Sequence, residues 1–231
     1  MEILVLAFAP GAFWLWYLYR KDRWEPEPRH LVLQSFAWGL VIALPAALLE
    51  LAFVWSEFLL IVIAAPVIEE YLKYWVVRRT VYPREEFSEP MDGIIYASAT
   101  ALGFASIENV GYLFSAREAE ILGPVFWGRA IFSVPGHVLF STIWGAALGR
   151  AKFVEHSANQ SALIRAGLLT AMIAHGLFNL LALLQIVGAI GLLLFSFVAW
   201  KLLHRRIEDA LAQSPYIARW EHRDPKNDPP V

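Results

Sequence analysis

The stretch Ala64-Ala65-Pro66-Val67-Ile68-Glu69-Glu70-Tyr71-Leu72-Lys73 places two adjacent carboxylates and a lysine inside a segment otherwise apolar enough to cross a bilayer. An ionisable group near the centre of a membrane helix costs roughly 2.5–3.5 kcal/mol even on mild insertion scales, so it belongs where a polar interior receives it. Glu69 and Lys73 are four residues apart and share a helix face, while Glu70 stands about 100° around from Glu69. One carboxylate is then paired and the other left free. Pro66 has no N–H, which leaves the carbonyl of Val62 without its helical donor just before the acid pair. The stretch reads as half of an intramembrane active site.

Composition agrees with a membrane setting. The chain has 231 residues, of which 58% are hydrophobic and 14% aromatic, and its mean hydropathy is +0.50. That is too apolar for a soluble domain and leaves no room for a separate one beside the spans. The fold class is therefore an all-α polytopic membrane protein. The absence of cysteine excludes disulfides and thiolate chemistry, so any metal would need His, Asp or Glu. No Gly-rich phosphate loop and no basic-aromatic patch is visible, so no nucleic-acid partner is expected.

Apolar runs of about 20 residues fall near 2–19, 31–55, 58–77, 93–115, 125–148, 162–182 and 185–203, which predicts about seven transmembrane helices. The first is followed by Arg20, Lys21 and Arg23 and has no small-residue cleavage site, so it reads as a retained span. Basic residues cluster at 20–29, at 78–84, at Arg150, Lys152 and Arg165, and after Lys201, whereas Arg117 and Arg129 alone fall on the opposite side. The positive-inside rule then puts the N-terminus outside and the C-terminus in the cytoplasm. Residues 1–206 form one transmembrane domain with its catalytic core at about 58–182, and 207–231 form a short cytoplasmic tail. Glu50 and Glu57 flank the outer end of the second span and read as interfacial.

Further ionisable groups sit deep in later spans. Glu108 lies about 16 residues into the fourth span, so it either faces lipid or joins Glu69 and Glu70. Gly93, Ala97, Ala101 and Ala105 recur every fourth residue in that span and form a stripe for close helix packing. Asp92, at its start, suits a cap or helix-dipole role as well as chemistry. His137 follows Pro135-Gly136 in the fifth span, and His175 and Asn179, one turn apart, project from one face of the sixth. At 1.5 Å per residue these groups spread over about two helical turns of depth, within what helix tilt absorbs.

A carboxylate beside a histidine in a dry cavity can activate water, and a second donor pair such as His175 with Asn179 can hold a developing oxyanion. There is neither a serine nucleophile elbow nor an HExxH zinc motif. The competing class is a non-enzymatic transporter or scaffold whose buried acids form a proton relay or an ion-pair lock.

Glu69-Glu70-Tyr71-Leu72-Lys73 resembles the EExxK motif of the PrsW family of prokaryotic intramembrane proteases. Asp92 to Tyr96 with Gly103-Phe104-Ala105-Ser106-Ile107-Glu108-Asn109, then His137, then His175-x-x-x-Asn179 resemble its later motifs in the same order, over about 65–182. The family is similar to the wider CAAX-protease and bacteriocin-processing (CPBP) superfamily. The resemblance implies a multi-pass enzyme of the prokaryotic cytoplasmic membrane that hydrolyses a single-span, membrane-anchored protein among membrane lipids, such as the first (site-1) cut in an anti-sigma factor. It implies Glu69 or Glu70 as general base, His137 orienting the water and His175 with Asn179 as oxyanion hole. Glu108 either shares the water or bonds Lys73 or a histidine, and Lys73, Asp92 and Asn109 are supporting. A metal-free glutamate mechanism is favoured; the alternative is zinc held by Glu69, Glu108, His137 and His175.

Overall fold

The computed structural model describes residues 1–218, and the Arg219, Arg223 and Lys226 part of the expected tail lies outside them. Every regular element is helical, with no strand among the described residues. In chain order they are α1 (Glu2–Tyr19), α2 (Arg29–Glu50) with a 3-10 extension (Leu51–Phe53), a π-helical segment (Leu59–Ala64) running into α3 (Ala65–Thr80), α4 (Pro90–Glu118), α5 (Leu122–Gly128), a second π-helical segment (Arg129–Ser133) running into α6 (Val134–Lys152), α7 (Ser157–Leu183) and α8 (Gln185–Ala212). Five stretches are long and apolar enough to cross a membrane: Glu2–Tyr19, Arg29–Phe53, Leu122–Lys152, Ser157–Leu183 and Gly188–Ala212.

The two remaining rods are less apolar: 59–80 carries Glu69, Glu70, Lys73, Arg78 and Arg79, and Pro90–Glu118 is rich in small and polar residues. α4 is the centre of the bundle: from Pro90 to Ser106 every residue is buried, against α6, α2 and α1. A helix enclosed in this way needs small side chains more than greasy ones, since its neighbours must come close. A Cβ on Gly93 would lie 2.2 Å from the Gly145 carbonyl, and one on Gly103 would lie 2.0 Å from that of Phe36. Part of the predicted small-residue stripe is therefore the α4–α6 seam, where Ala97 also meets Gly145, and a second seam joins α4 to α2.

Asp92 caps this central helix. Glu89 is the N-cap and Asp92, three residues on, accepts its backbone N–H at 2.8 Å, a reciprocal capping box. Asp22 and Glu27 of the α1–α2 loop are buried, and the Glu27 backbone N–H donates to Asp22 Oδ2 at 3.2 Å. Tyr96 Oη donates to Glu27, and Ser214, just beyond α8, donates to Glu89. Burial, reinforced by the charges of Glu89 and Asp92, pushes the Asp22 carboxyl up to about 9, and burial with the Asp92 charge pushes Glu27 up to about 11. The first loop, the start of α4 and the end of α8 are thereby tied together.

Candidate active site

Both π-helical segments end at a proline that opens a site helix, Pro66 in α3 and Pro135 in α6. In the first, the Ala65 N–H bonds the Leu60 carbonyl, five residues back, so the next acceptor in register is Ile61 and its donor would be Pro66, which has none. Asn179 Nδ2 supplies that bond, donating to the Ile61 carbonyl at 2.9 Å. The orphan carbonyl is thus one residue earlier than α-helical geometry predicts. The Val62 carbonyl instead packs on α7, where a Cβ on Gly176 would lie 2.5 Å from it. That close approach sets His175, the preceding residue, against α3.

The acid pair then divides into two roles. Glu70 is fully buried, and both of its oxygens are saturated. Oε1 accepts from Lys73 Nζ at 2.9 Å and His175 Nδ1 at 3.3 Å, and Oε2 from Ser141 Oγ at 2.7 Å and Trp144 Nε1 at 2.9 Å. Glu69 accepts from Lys73 through Oε2 at 3.0 Å, while its Oε1 has no hydrogen-bond partner among the described residues and the side chain lines a cavity.

Lys73 is also fully buried and is the hub. Besides the two carboxylates, its ammonium contacts His137 Nδ1 at 3.1 Å and lies 4.2 Å from the centre of the Phe104 ring. An ammonium has no acceptor to offer, so His137 accepts at Nδ1 and, when neutral, carries its proton on Nε2. That Nε2 is 2.9 Å from Glu108, whose same oxygen takes Arg129 Nη2 at 2.7 Å. Arg129 also donates to Asn109 and covers the Tyr112 ring at 4.0 Å, while Asn109 Nδ2 donates to the Ala7 carbonyl of α1 at 3.2 Å. His175 stacks on Phe140 with ring centres 4.6 Å apart and meets His137 edge-on at 5.4 Å.

Glu69, Glu70, Lys73, Glu108, Asn109, His137, His175 and Asn179 therefore belong to one connected site, and all but Glu70, Lys73 and Asn109 line one cavity of about 570 Å³. Asp92 does not: it lies sixteen residues before Glu108 on α4, roughly 24 Å away along the helix. Arg129, expected as an outer-side charge, pairs with Glu108 in the cavity wall, and Glu50, expected at the interface, lines the same wall. Ser141 and Trp144 carried a readable signal, because at four and seven residues past His137 they share its helix face.

A multi-pass helical membrane protein with carboxylates, imidazoles and a buried ammonium converging on one cavity is the class that this geometry defines. Residues 27–203 match the family described as "PrsW family intramembrane metalloprotease". Among curated proteins, Protease PrsW of Geobacillus kaustophilus is 32% identical over 214 residues, covering 90% of this chain and 92% of the relative. That of Oceanobacillus iheyensis is 36% identical over 186 residues (78% and 82%), and that of Bacillus subtilis 33% over 156 (65% and 69%). No solved structure matches the chain. The chain belongs to the PrsW family of membrane proteases.

The family description implies a metal ion. Glu69, His137 and His175 each bring one ligand atom, all within 4.8 Å of one another, a two-histidine, one-carboxylate set of the kind that holds catalytic zinc. Glu70 and Glu108 stand behind the two imidazoles as the outer-shell carboxylates that such sites carry. The donor set therefore fits an ion. The Lys73 ammonium, bonded to both Glu69 Oε2 and His137 Nδ1, competes for two of the three ligands.

Proposed function

We propose that the chain is an intramembrane endopeptidase in which Glu69 activates water for hydrolysis of a peptide bond in a membrane-anchored protein. The observation that carries this reading is the asymmetry of the acid pair: Glu70 has no oxygen left to take a proton, and Glu69 keeps Oε1 open to the cavity. Glu70 accepts the Nδ1–H of His175, which leaves the His175 Nε2 as a lone pair. A water that donates to Glu69 Oε1 and His175 Nε2 is aligned for attack on a carbonyl carbon. Glu69 takes its proton and returns it to the leaving amine. Asn179 spends one N–H on Ile61 and keeps the second for the oxyanion. Lys73 neutralises charge behind Glu69, and Arg129 does the same behind Glu108.

The separation of the metal ligands favours a second reading, in which Glu69, His137 and His175 hold zinc. When bound, the ion would acidify a water and polarise the carbonyl. Purified protein assayed for cleavage of a single-span peptide with and without chelator, with bound metal measured on the same sample, separates the two readings. Chelator-insensitive cleavage without stoichiometric metal supports the glutamate mechanism; chelator-sensitive cleavage with one bound ion supports zinc. No cleavage of any substrate, together with unfolding on Glu69→Gln, supports an ion-pair lock.

The remaining assignments follow from the same reading. Seven spans place the N-terminus outside and the C-terminus in the cytoplasm, with the rods 59–80 and Pro90–Glu118 as two of the seven. The basic loops support this orientation, which opens the cavity toward the outer leaflet. A single-span protein of the anti-sigma factor type is the substrate class, and the cytoplasmic membrane is the location.

A further inference from the structure

Glu50 is the last residue of α2 and has no role in the chemistry proposed above. Its neighbours Leu48, Leu49 and Leu51 are exposed, whereas Glu50 is half-buried and forms part of the wall of the cavity that holds Glu69 and His175. The cavity wall carries three carboxylates, Glu50, Glu69 and Glu108, against one guanidinium, Arg129. The others are engaged: Glu69 by Lys73 at 3.0 Å and Glu108 by Arg129 at 2.7 Å. Glu50 has no ion-pair partner within 4 Å among the described residues. Glu50 is therefore the one carboxylate of the cavity wall with no cation beside it among the described residues.

A carboxylate in a half-buried, low-dielectric wall gains from a cation that reaches it, because the charge-assisted hydrogen bond replaces lost hydration. We propose that Glu50 is a substrate subsite that takes a lysine or arginine side chain near the scissile bond. Apolar side chains already surround the rest of the cavity, among them Leu60, Phe132 and Phe178, so a cationic residue gives register to a substrate segment that is otherwise greasy. This inference rests on the peptide-cleaving reading of the same cavity.

The test is binding, so that it does not depend on turnover. Labelled single-span peptides carry Lys, acetyl-lysine, Gln or Glu at successive positions of the segment just outside the span and are titrated against Glu69→Gln protein. At one position or more, Lys binds about tenfold tighter than Gln or acetyl-lysine, the size expected of one charge-assisted hydrogen bond. Adding Glu50→Gln reduces this preference to less than about twofold, and Glu50→Lys inverts it in favour of Glu, as complementary charge requires. A Lys preference that survives Glu50→Gln, or no position at which Lys exceeds acetyl-lysine, overturns the proposal; the second comparison needs no variant of Glu50. Cleavage by wild type is scored separately: a preferred peptide that binds through Glu50 and is never cut sinks the protease reading and leaves the subsite standing.

Discussion

Asn179 Nδ2 donates to the Ile61 carbonyl at 2.9 Å, making good the hydrogen bond that Pro66 withholds in the π-helical register before α3. The two residues are 118 positions apart, and the bond fastens α7 to the helix that carries Glu69 and Glu70. Asn179→Ala strands a carbonyl and is expected to destabilise by about 1–3 kcal/mol, the usual penalty for an orphaned buried polar group. In a Pro66→Ala background the backbone N–H returns and the penalty should shrink to less than half. A double-mutant cycle by thermal or denaturant unfolding checks this; equal penalties in both backgrounds contradict the pairing.

Glu70 holds His175, Ser141, Trp144 and Lys73 together. Glu70→Gln replaces one acceptor oxygen by a donor that faces groups which themselves donate, so both fold and function should suffer. Breaking a buried network of this kind costs about 3–5 kcal/mol. Lys73→Met should cost a similar amount by leaving Glu69 and Glu70 unpaired. Unfolding midpoints for the two variants, compared with wild type, provide the check, and near-native stability in either would show that the network is not formed as described.

The helical rods and the family motifs were legible because bilayer length and buried charge each leave a mark on a short window of sequence. The site was less so where it depends on pairings between distant elements. Arg129 reads as an outer-side cation until Glu108 is seen to hold it, and Glu50 reads as interfacial because it stands at the outer end of the second span. The π-helical segments shift the register by one residue, which moved the orphan carbonyl from Val62 to Ile61. Asp92 belonged to a capping box with Glu89 and to a buried acid cluster whose other members, Asp22 and Glu27, pass for ordinary loop charges.

That cluster makes stability fall with rising pH. Asp22 is pushed up to about 9 and Glu27 to about 11, so the fold keeps protons that the unfolded chain releases near pH 4. The folded state binds more protons across that window; the stabilisation is complete below about pH 4 and is lost as pH rises toward and through the folded values. Thermal unfolding should drop by roughly 5 °C or more between pH 5 and pH 9. The Asp22→Asn, Glu27→Gln double variant should flatten the profile; an unchanged slope would remove these two groups from the explanation.

The most direct test of the catalytic assignment is the cleavage rate of a single-span substrate by wild type and by Glu69→Gln, with unfolding midpoints taken on the same preparations. Glu to Gln keeps the shape and removes the base. A general base contributes about 10²–10⁴ in rate, so the variant should lose activity on that scale while its midpoint stays near that of wild type. Cleavage by Glu69→Gln within a few-fold of wild type would contradict the assignment of Glu69 as the group that activates water.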